Sequence, residues 1–226
     1  MISKELIIRI FTSLPLISLL VLSFYFTFIL LISLIAISII SWIEFNRLIS
    51  KIFKKNTSKS KFKKLLIKFL SLVYLIIFSI AVYTGLSQDN FKYLVIYLFL
   101  ICICSDIGGL LFGKIFKGKK LTKISPNKTI SGSLGSFILS LILVPTFYSI
   151  INVKLVDLQD LILLAILVSF FCQIGDLFIS LLKRKAKVKD TGKILPGHGG
   201  LLDRIDGMLF AIPIGMLLLQ LIVITL

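Results

Sequence analysis

Between Ile10 and Ile43 the chain carries no charged residue, an uninterrupted run of 34 positions. A helix needs roughly 20 apolar residues to cross a bilayer core of about 30 Å. The whole run would make roughly 50 Å of helix at about 1.5 Å per residue, too long for one crossing without strong tilt. It therefore reads as two short crossings, Leu6–Phe24 and Thr27–Phe45, turning near Ser23–Thr27. One long tilted helix is the alternative. Further spans read as Leu65–Gly85, Tyr93–Phe112, Ile130–Ile151, Leu158–Leu182 and Met208–Leu226. A water-soluble domain is usually about 45–50% apolar, whereas this chain reaches 58%. The expected fold is all-α, a polytopic integral membrane bundle of about seven transmembrane helices. One membrane domain spans 1–226, with N-terminal spans in 6–92 and a core in 93–226. The apolar N-terminus runs on far beyond an ordinary signal-peptide core without a small-residue cleavage site, so it is read as retained.

Charge then orients the bundle. Of the 26 basic residues, nine lie in 47–68, six in 114–128 and seven in 183–204, and Lys4 and Arg9 bring the sum to 24. With seven spans these loops and the N-terminus fall on one side. The positive-inside bias makes that side cytoplasmic and the C-terminus external. A net charge of +16 thus follows from topology and contact with the lipid surface, and nucleic acid is not an expected partner. The Lys/Ser-rich stretch Lys51–Lys64 reads as a biased loop. Cys102, Cys104 and Cys172 all lie in apolar runs with no zinc-like spacing, and read as buried reduced thiols. Gly109-x3-Gly113 permits close helix contact, either within the chain or in a homodimer.

Acids in the wrong solvent are the first functional signal. Asp106 lies near the cytoplasmic end of the fourth span and Asp176 near the same end of the sixth, both close to glycine. A carboxylate inside a span costs several kcal/mol, on the order of 3, unless it is paired or faces a wet cavity. A single structural hydrogen bond would explain one such acid; two at similar depth favour a shared polar cavity. If the sixth helix continues, Asp176, Ser180, Lys183 or Arg184, and Lys187 share a face. A metal-bridged anion would suit that face, whereas a plain snorkelling helix end would leave Asp176 unexplained.

The densest stretch is 189–206. Gly197, Gly199 and Gly200 permit close backbone approach and positive φ. Backbone amides in such a turn, leading into a helix N-terminus, suit phosphate. Asp203 and Asp206 are three apart at the start of the last helix, and paired carboxylates beside phosphate-binding groups suggest Mg²⁺. Lys189 and Arg204 could neutralise developing charge. His198, the only histidine, is a candidate phosphate contact or proton carrier. On the same side, Ser125, Lys128 and Thr129 offer phosphate donors around Pro126; the segment also reads as a helix start with a Ser or Thr cap.

The segment Ser180-Leu-Leu-Lys183-Arg184-x4-Lys189-Asp190-x-Gly192-x2-Leu195-Pro196-x-His198-Gly199-Gly200-Leu201-x-Asp203-Arg204-Ile205-Asp206 resembles the signature of the CDP-diacylglycerol synthases, also called phosphatidate cytidylyltransferases. Gly175-Asp176-Leu177, Ser105-Asp106 with Gly113-Lys114, Ser125-Pro126-x-Lys128-Thr129, and the pair Trp42 and Glu44 also fit that family. One departure stands out. The family's loop usually continues from Lys-Thr into an aromatic, a glutamate and a glycine, where this chain has Ile130, Ser131 and Gly132.

The resemblance implies that phosphatidate and CTP give CDP-diacylglycerol and pyrophosphate at the inner membrane, with catalytic loops 114–129 and 183–206 in the cytoplasm. It implies Mg²⁺ paired with K⁺ as second metal. Asp176 and Asp203 would hold metal, supported by Asp206 and Asp106. Lys183, Arg184, Lys189, Arg204 and the 197–200 loop would hold phosphates, and Ser125, Lys128 and Thr129 would contact the nucleotide. Two rivals are a related CTP-dependent enzyme with another lipid acceptor, such as a polyprenol kinase, and a small cation transporter lined by the intramembrane acids.

Overall fold

A backbone in hydrocarbon must satisfy its own hydrogen bonds, so apolar spans of this length fold as helices. A computed structural model of the chain describes residues 14–15, 18–19, 21–53, 57–122, 125–126, 128–150, 156–197 and 199–225. Six long helices occur among the described residues: α1 Thr27–Ile52, α2 Ser58–Ser87, α3 Asp89–Phe116, α4 Ile130–Ile150, α5 Leu158–Ala186 and α6 Leu202–Thr225. All six are long and apolar enough to cross a membrane, so this is a multi-pass helical membrane protein. Most of the expected first crossing, Leu6–Phe24, lies outside the described residues.

The turn expected near Ser23–Thr27 is present. Phe26 leaves the helical region (φ −118°, ψ 105°) just before α1. Ser23 Oγ lies 3.2 Å from Ser33 Oγ, although ten residues of continuous helix would separate them by about 15 Å. The chain therefore doubles back there.

Two sequence expectations change. Most of the described residues of Lys51–Lys64 are helical and not loop: α1 runs through Lys51 to Ile52 and α2 starts at Ser58. Lysine is a good helix former, and with no Gly or Pro to stop them the helices extend past the hydrocarbon while lysines reach for headgroups. Nor does α5 carry Lys187 on its face. Lys187 adopts φ 55°, its N–H bonds the Arg184 carbonyl, and Val188 N–H bonds that of Lys183. This is a left-handed helix terminator with lysine where glycine is usual.

The chain divides into two compact units. One comprises Met1–Tyr83 with Leu182–Ile205, the other Thr84–Leu181 with Asp206–Leu226. Residues 182–205, grouped with the C-terminal spans by sequence, thus belong with α1 and α2. In this first unit Trp42 Nε1 donates to the Lys68 carbonyl (3.1 Å) and Ser38 Oγ pairs with Ser79 Oγ (2.6 Å), tying α1 to α2.

The second unit packs α3, α4, α5 and most of α6 through small residues and buried hydroxyls. Tyr97 Oη donates to the Leu161 carbonyl (2.9 Å), Ser105 Oγ meets Ser169 Oγ (3.0 Å), and Ser136 Oγ donates to the Ser105 carbonyl (2.7 Å). The glycine stripe of α3 is used within the chain. A Cβ on Gly108 would lie 2.8 Å from the Gly135 carbonyl carbon of α4, and one on Gly109 would lie 2.9 Å from Ser136 Oγ. Close backbone approach of this kind is how membrane helices gain packing energy without a hydrophobic driving force. Gly108→Val should therefore lower the thermal midpoint in detergent, by about 2 kcal/mol of stability; an unchanged midpoint would refute the close packing.

Candidate active site

Each unit holds one carboxylate-centred cluster. In the second unit the centre is Asp176, on α5. The ammonium of Lys128, from the loop between α3 and α4, forms an ion pair with Asp176 Oδ2. Ser180 Oγ, one turn along α5, donates to Asp176 Oδ1 at 3.4 Å. Asp106 approaches from α3. Its Oδ1 lies 3.9 Å from Cys172 Sγ, and it is within electrostatic reach of both Asp176 and Lys128. Asp206 enters at the α5–α6 contact, where a Cβ on Gly175 would lie 2.5 Å from the Asp206 carbonyl oxygen; its Oδ1 accepts the Gly207 N–H at 2.9 Å.

The loop that delivers Lys128 is shaped by its own backbone. Lys120 and Thr129 form an isolated bridge, and the N–H of Leu121 bonds the Lys128 carbonyl (2.8 Å) while Lys128 N–H bonds that of Ser125 (3.1 Å). Thr129 caps α4, its Oγ1 accepting the Gly132 N–H at 3.1 Å, as the capping alternative for this segment anticipated. Ser125 N–H is bonded to Thr122 Oγ1 (3.3 Å). Of the three residues expected to act here, Lys128 is the one joined to Asp176.

In the first unit the centre is Asp203. Its Oδ1 accepts from Lys183 Nζ (2.8 Å). Its Oδ2 accepts from Thr191 N–H (2.8 Å), Thr191 Oγ1 (3.0 Å) and Gly200 N–H (3.2 Å). Beside it sits Glu44 of α1, fully buried. Glu44 Oε1 accepts the Leu201 N–H (3.1 Å), and Oε2 accepts the Leu202 N–H (2.9 Å) and Thr191 Oγ1 (2.9 Å). The amides at the start of α6, expected to be open to phosphate, are thus held by two carboxylates of the chain itself. A helix N-terminus attracts any anion within reach, and here Glu44 arrives first.

The Gly-rich turn is as tight as its sequence requires. Leu195 and Gly199 exchange both backbone hydrogen bonds at 3.0 Å. Gly197 (φ 76°) and Gly199 (φ 85°) occupy the left-handed region, where a side chain would be strained. A Cβ on Gly192 would collide with the Glu44 carboxylate, and one on Gly200 with Thr191 Oγ1. His198 lies outside the described residues. Lys189, Arg184 and Arg204 are exposed on and around this loop.

Sequence reasoning gave Glu44 no role beyond its pairing with Trp42, and missed Thr191 and Gln173. Gln173 lies one turn before Asp176 on α5. Its Oε1 accepts from Ser133 Oγ (2.5 Å), while its Nε2 is buried with no hydrogen-bond partner, a donor without an acceptor. Among the described residues no three His, Cys, Asp or Glu side chains are grouped as a metal cluster. The Asp176 site nevertheless offers oxygen donors, the carboxylates of Asp176 and Asp106 and the Ser180 hydroxyl, of the kind that suits Mg²⁺, with the Cys172 sulfur beside Asp106.

The chain is 42% identical over 135 residues to a phosphatidate cytidylyltransferase of Staphylococcus haemolyticus, covering 59% of this chain and 51% of that protein. It is 38% identical over 144 residues to one of Bacillus subtilis, covering 59% and 53%, and 42% identical over 128 residues to one of Staphylococcus aureus, covering 56% and 49%. The matches thus span about half the length of these curated relatives. The family model described as the cytidylyltransferase family matches residues 2–222, and by that near-complete match the chain belongs to the cytidylyltransferase family.

Proposed function

We propose that the protein transfers the cytidylyl group of CTP to phosphatidate, forming CDP-diacylglycerol and pyrophosphate. The observation that carries this reading is the Lys128–Asp176 ion pair. It sets a loop cation able to bind an anion against a carboxylate able to bind a metal, the latter on a helix long enough to span the membrane. The Lys183–Asp203 pair repeats the arrangement in the other unit.

In the reaction a phosphate oxygen of the lipid attacks the α-phosphorus of CTP in line. One P–O bond forms, the α–β bond breaks, and its electrons leave with pyrophosphate. Phosphatidate is already anionic near neutral pH, so a strong general base is not required. The work is positioning and charge neutralisation, as in phosphoryl transfer generally. Asp176 with Asp106 and Asp206 in one unit, and Asp203 in the other, are the residues proposed to hold Mg²⁺, with K⁺ as a second ion. Mg²⁺, when bound, supplies positive charge against the polyphosphate. Lys128 and Lys183 neutralise Asp176 and Asp203 in the free protein and turn to substrate phosphates in the complex. Arg184, Lys189 and Arg204 add cationic charge in the unit of Asp203. Gln173 Nε2 is a further donor for a substrate oxygen.

We further propose that loops 114–129 and 183–206 face the cytoplasm of a bacterial inner membrane. Their basic residues support this orientation through the positive-inside bias. The deciding experiment incubates the purified full chain with phosphatidate, radiolabelled CTP and Mg²⁺. The expected result is a labelled CDP-lipid with release of pyrophosphate, lost when a chelator is added. Transfer of a terminal phosphate with release of CDP would overturn the reading in favour of a kinase.

A further inference from the structure

The first unit carries two cavities along one helix. A groove of about 520 Å³ lies between α1 and α2, lined from α1 by Leu31, Ile35, Ile39 and Ile43 and from α2 by Ile76 and Ile80. These side chains are exposed on helices at membrane depth. Further along α1 a cleft of about 480 Å³ is lined by Arg47 and Lys51 together with Lys189, Asp190 and Lys193 of the loop before α6. Leu31, Ile35, Ile39, Ile43, Arg47 and Lys51 are spaced by four throughout, so they form one ridge winding along α1. Its first four members are apolar and its last two cationic.

Glu44 of α1 ties the loop before α6 to the helix that lines both cavities. It sits between Ile43 and Arg47, and its carboxylate binds Thr191, Leu201 and Leu202. Gly192 lies so close that a Cβ would collide with that carboxylate. The contact brings Lys189 and Lys193 to the same cleft as Arg47 and Lys51. Among the described residues none of these four cations takes part in an ion pair, although Asp190 lines the same cleft.

We propose that groove and cleft together form one binding site for a phosphomonoester phospholipid, with an acyl chain in the groove and the phosphate against Arg47, Lys51, Lys189 and Lys193. Hydrocarbon fills the groove without polar cost, and this supplies depth but no selectivity. Selectivity comes from the cleft, because a phosphomonoester carries net negative charge where a phosphatidylcholine headgroup carries none. Each cation near a membrane surface is worth about 1 kcal/mol to an anionic lipid. The inference rests on the cytidylyl-transfer reading for naming phosphatidate as that lipid, and it adds where the lipid is recognised.

Trp42 makes the site measurable, since it lines the groove and is the only tryptophan. The full chain is reconstituted in phosphatidylcholine bilayers, and its fluorescence is quenched with acyl-chain-brominated phosphatidate or brominated phosphatidylcholine. Phosphatidate is expected to compete for the site more than about tenfold better in the native chain, and the preference should fall by about tenfold or more in Arg47→Gln/Lys51→Gln, Lys189 and Lys193 keeping the remainder. Equal quenching by the two lipids in the native chain, or a preference unchanged in the double variant, would overturn the proposal. Quenching by neither lipid, with cross-linked dimers, would assign the groove to a second copy instead. Quenching by brominated phosphatidylcholine serves as the folding control for the variant. The readout does not depend on turnover. Product formation by Asp176→Asn would strike the catalytic reading and leave this site standing, whereas loss of lipid preference beside intact chelator-sensitive turnover would do the reverse.

Discussion

Asp176→Asn should abolish CDP-lipid formation, by about a thousandfold or more, in a protein that still inserts. Asparagine matches aspartate in size and can still accept from Ser180 Oγ. What it removes is the charge that holds Lys128 and would attract a divalent ion. The loss should not be unfolding in disguise. The Lys128 and Asp176 side chains are 26% and 30% exposed, and a pair that wet contributes about 1 kcal/mol or less. Thermal midpoints of native and variant protein in detergent should therefore differ little while turnover differs greatly.

Lys128 allows a sharper form of the test. If Asp176 served only to partner this lysine, removing both charges would restore activity. If both act on substrate, Lys128→Gln alone should cost about 10- to 100-fold, and Asp176→Asn/Lys128→Gln should remain as inactive as Asp176→Asn. Such non-additivity is expected of residues that work as a unit. Recovery of more than a tenth of native turnover in the double variant would reduce the pair to architecture.

These residues also mark where sequence reasoning reaches and where it stops. Asp176 and Lys128 stood out separately, one as a charge in apolar surroundings and the other in a polar loop. Spacing alone could not say that they meet, because the loop's path depends on the Lys120–Thr129 bridge and the cap at Thr129. Gly197 and Gly199 were legible because positive φ has a residue signature. Lys187 was not, because a lysine terminating a helix at φ 55° carries none. The helical lysines 59–64 looked like loop because clustered charge and water exposure go together on soluble proteins. At a bilayer surface the same residues extend a span instead. Glu44 was hardest to place. Its partner Thr191 lies 147 residues away, and a lone acid after an apolar run indicates that something must satisfy it without indicating what.

Glu44→Gln is the second variant with a large expected effect. The carboxylate is fully buried and accepts two backbone amides and one hydroxyl. An amide in its place turns one acceptor into a donor, which then faces either Leu201 N–H or Leu202 N–H. Leaving such a buried donor unpaired costs about 3 kcal/mol together with the lost charge-assisted bond. The cost falls on residues 191–202, the segment that also supplies the donors to Asp203. Two readouts follow. Tryptic cleavage after Lys189 and Lys193 in inverted vesicles should accelerate by about a hundredfold, since nicking tracks the population of the opened loop. Turnover should collapse even though Glu44 touches no substrate. Thr191→Val separates this effect from loss of the shared hydroxyl. Its single proton can go to Glu44 or to Asp203 but not to both, and each carboxylate keeps backbone donors without it, so that variant should cost about 1 kcal/mol. Native cleavage rates and full turnover in Glu44→Gln would mean that the loop is held by something other than this carboxylate, with the Thr191 and Gly200 bonds to Asp203 as the remaining tie.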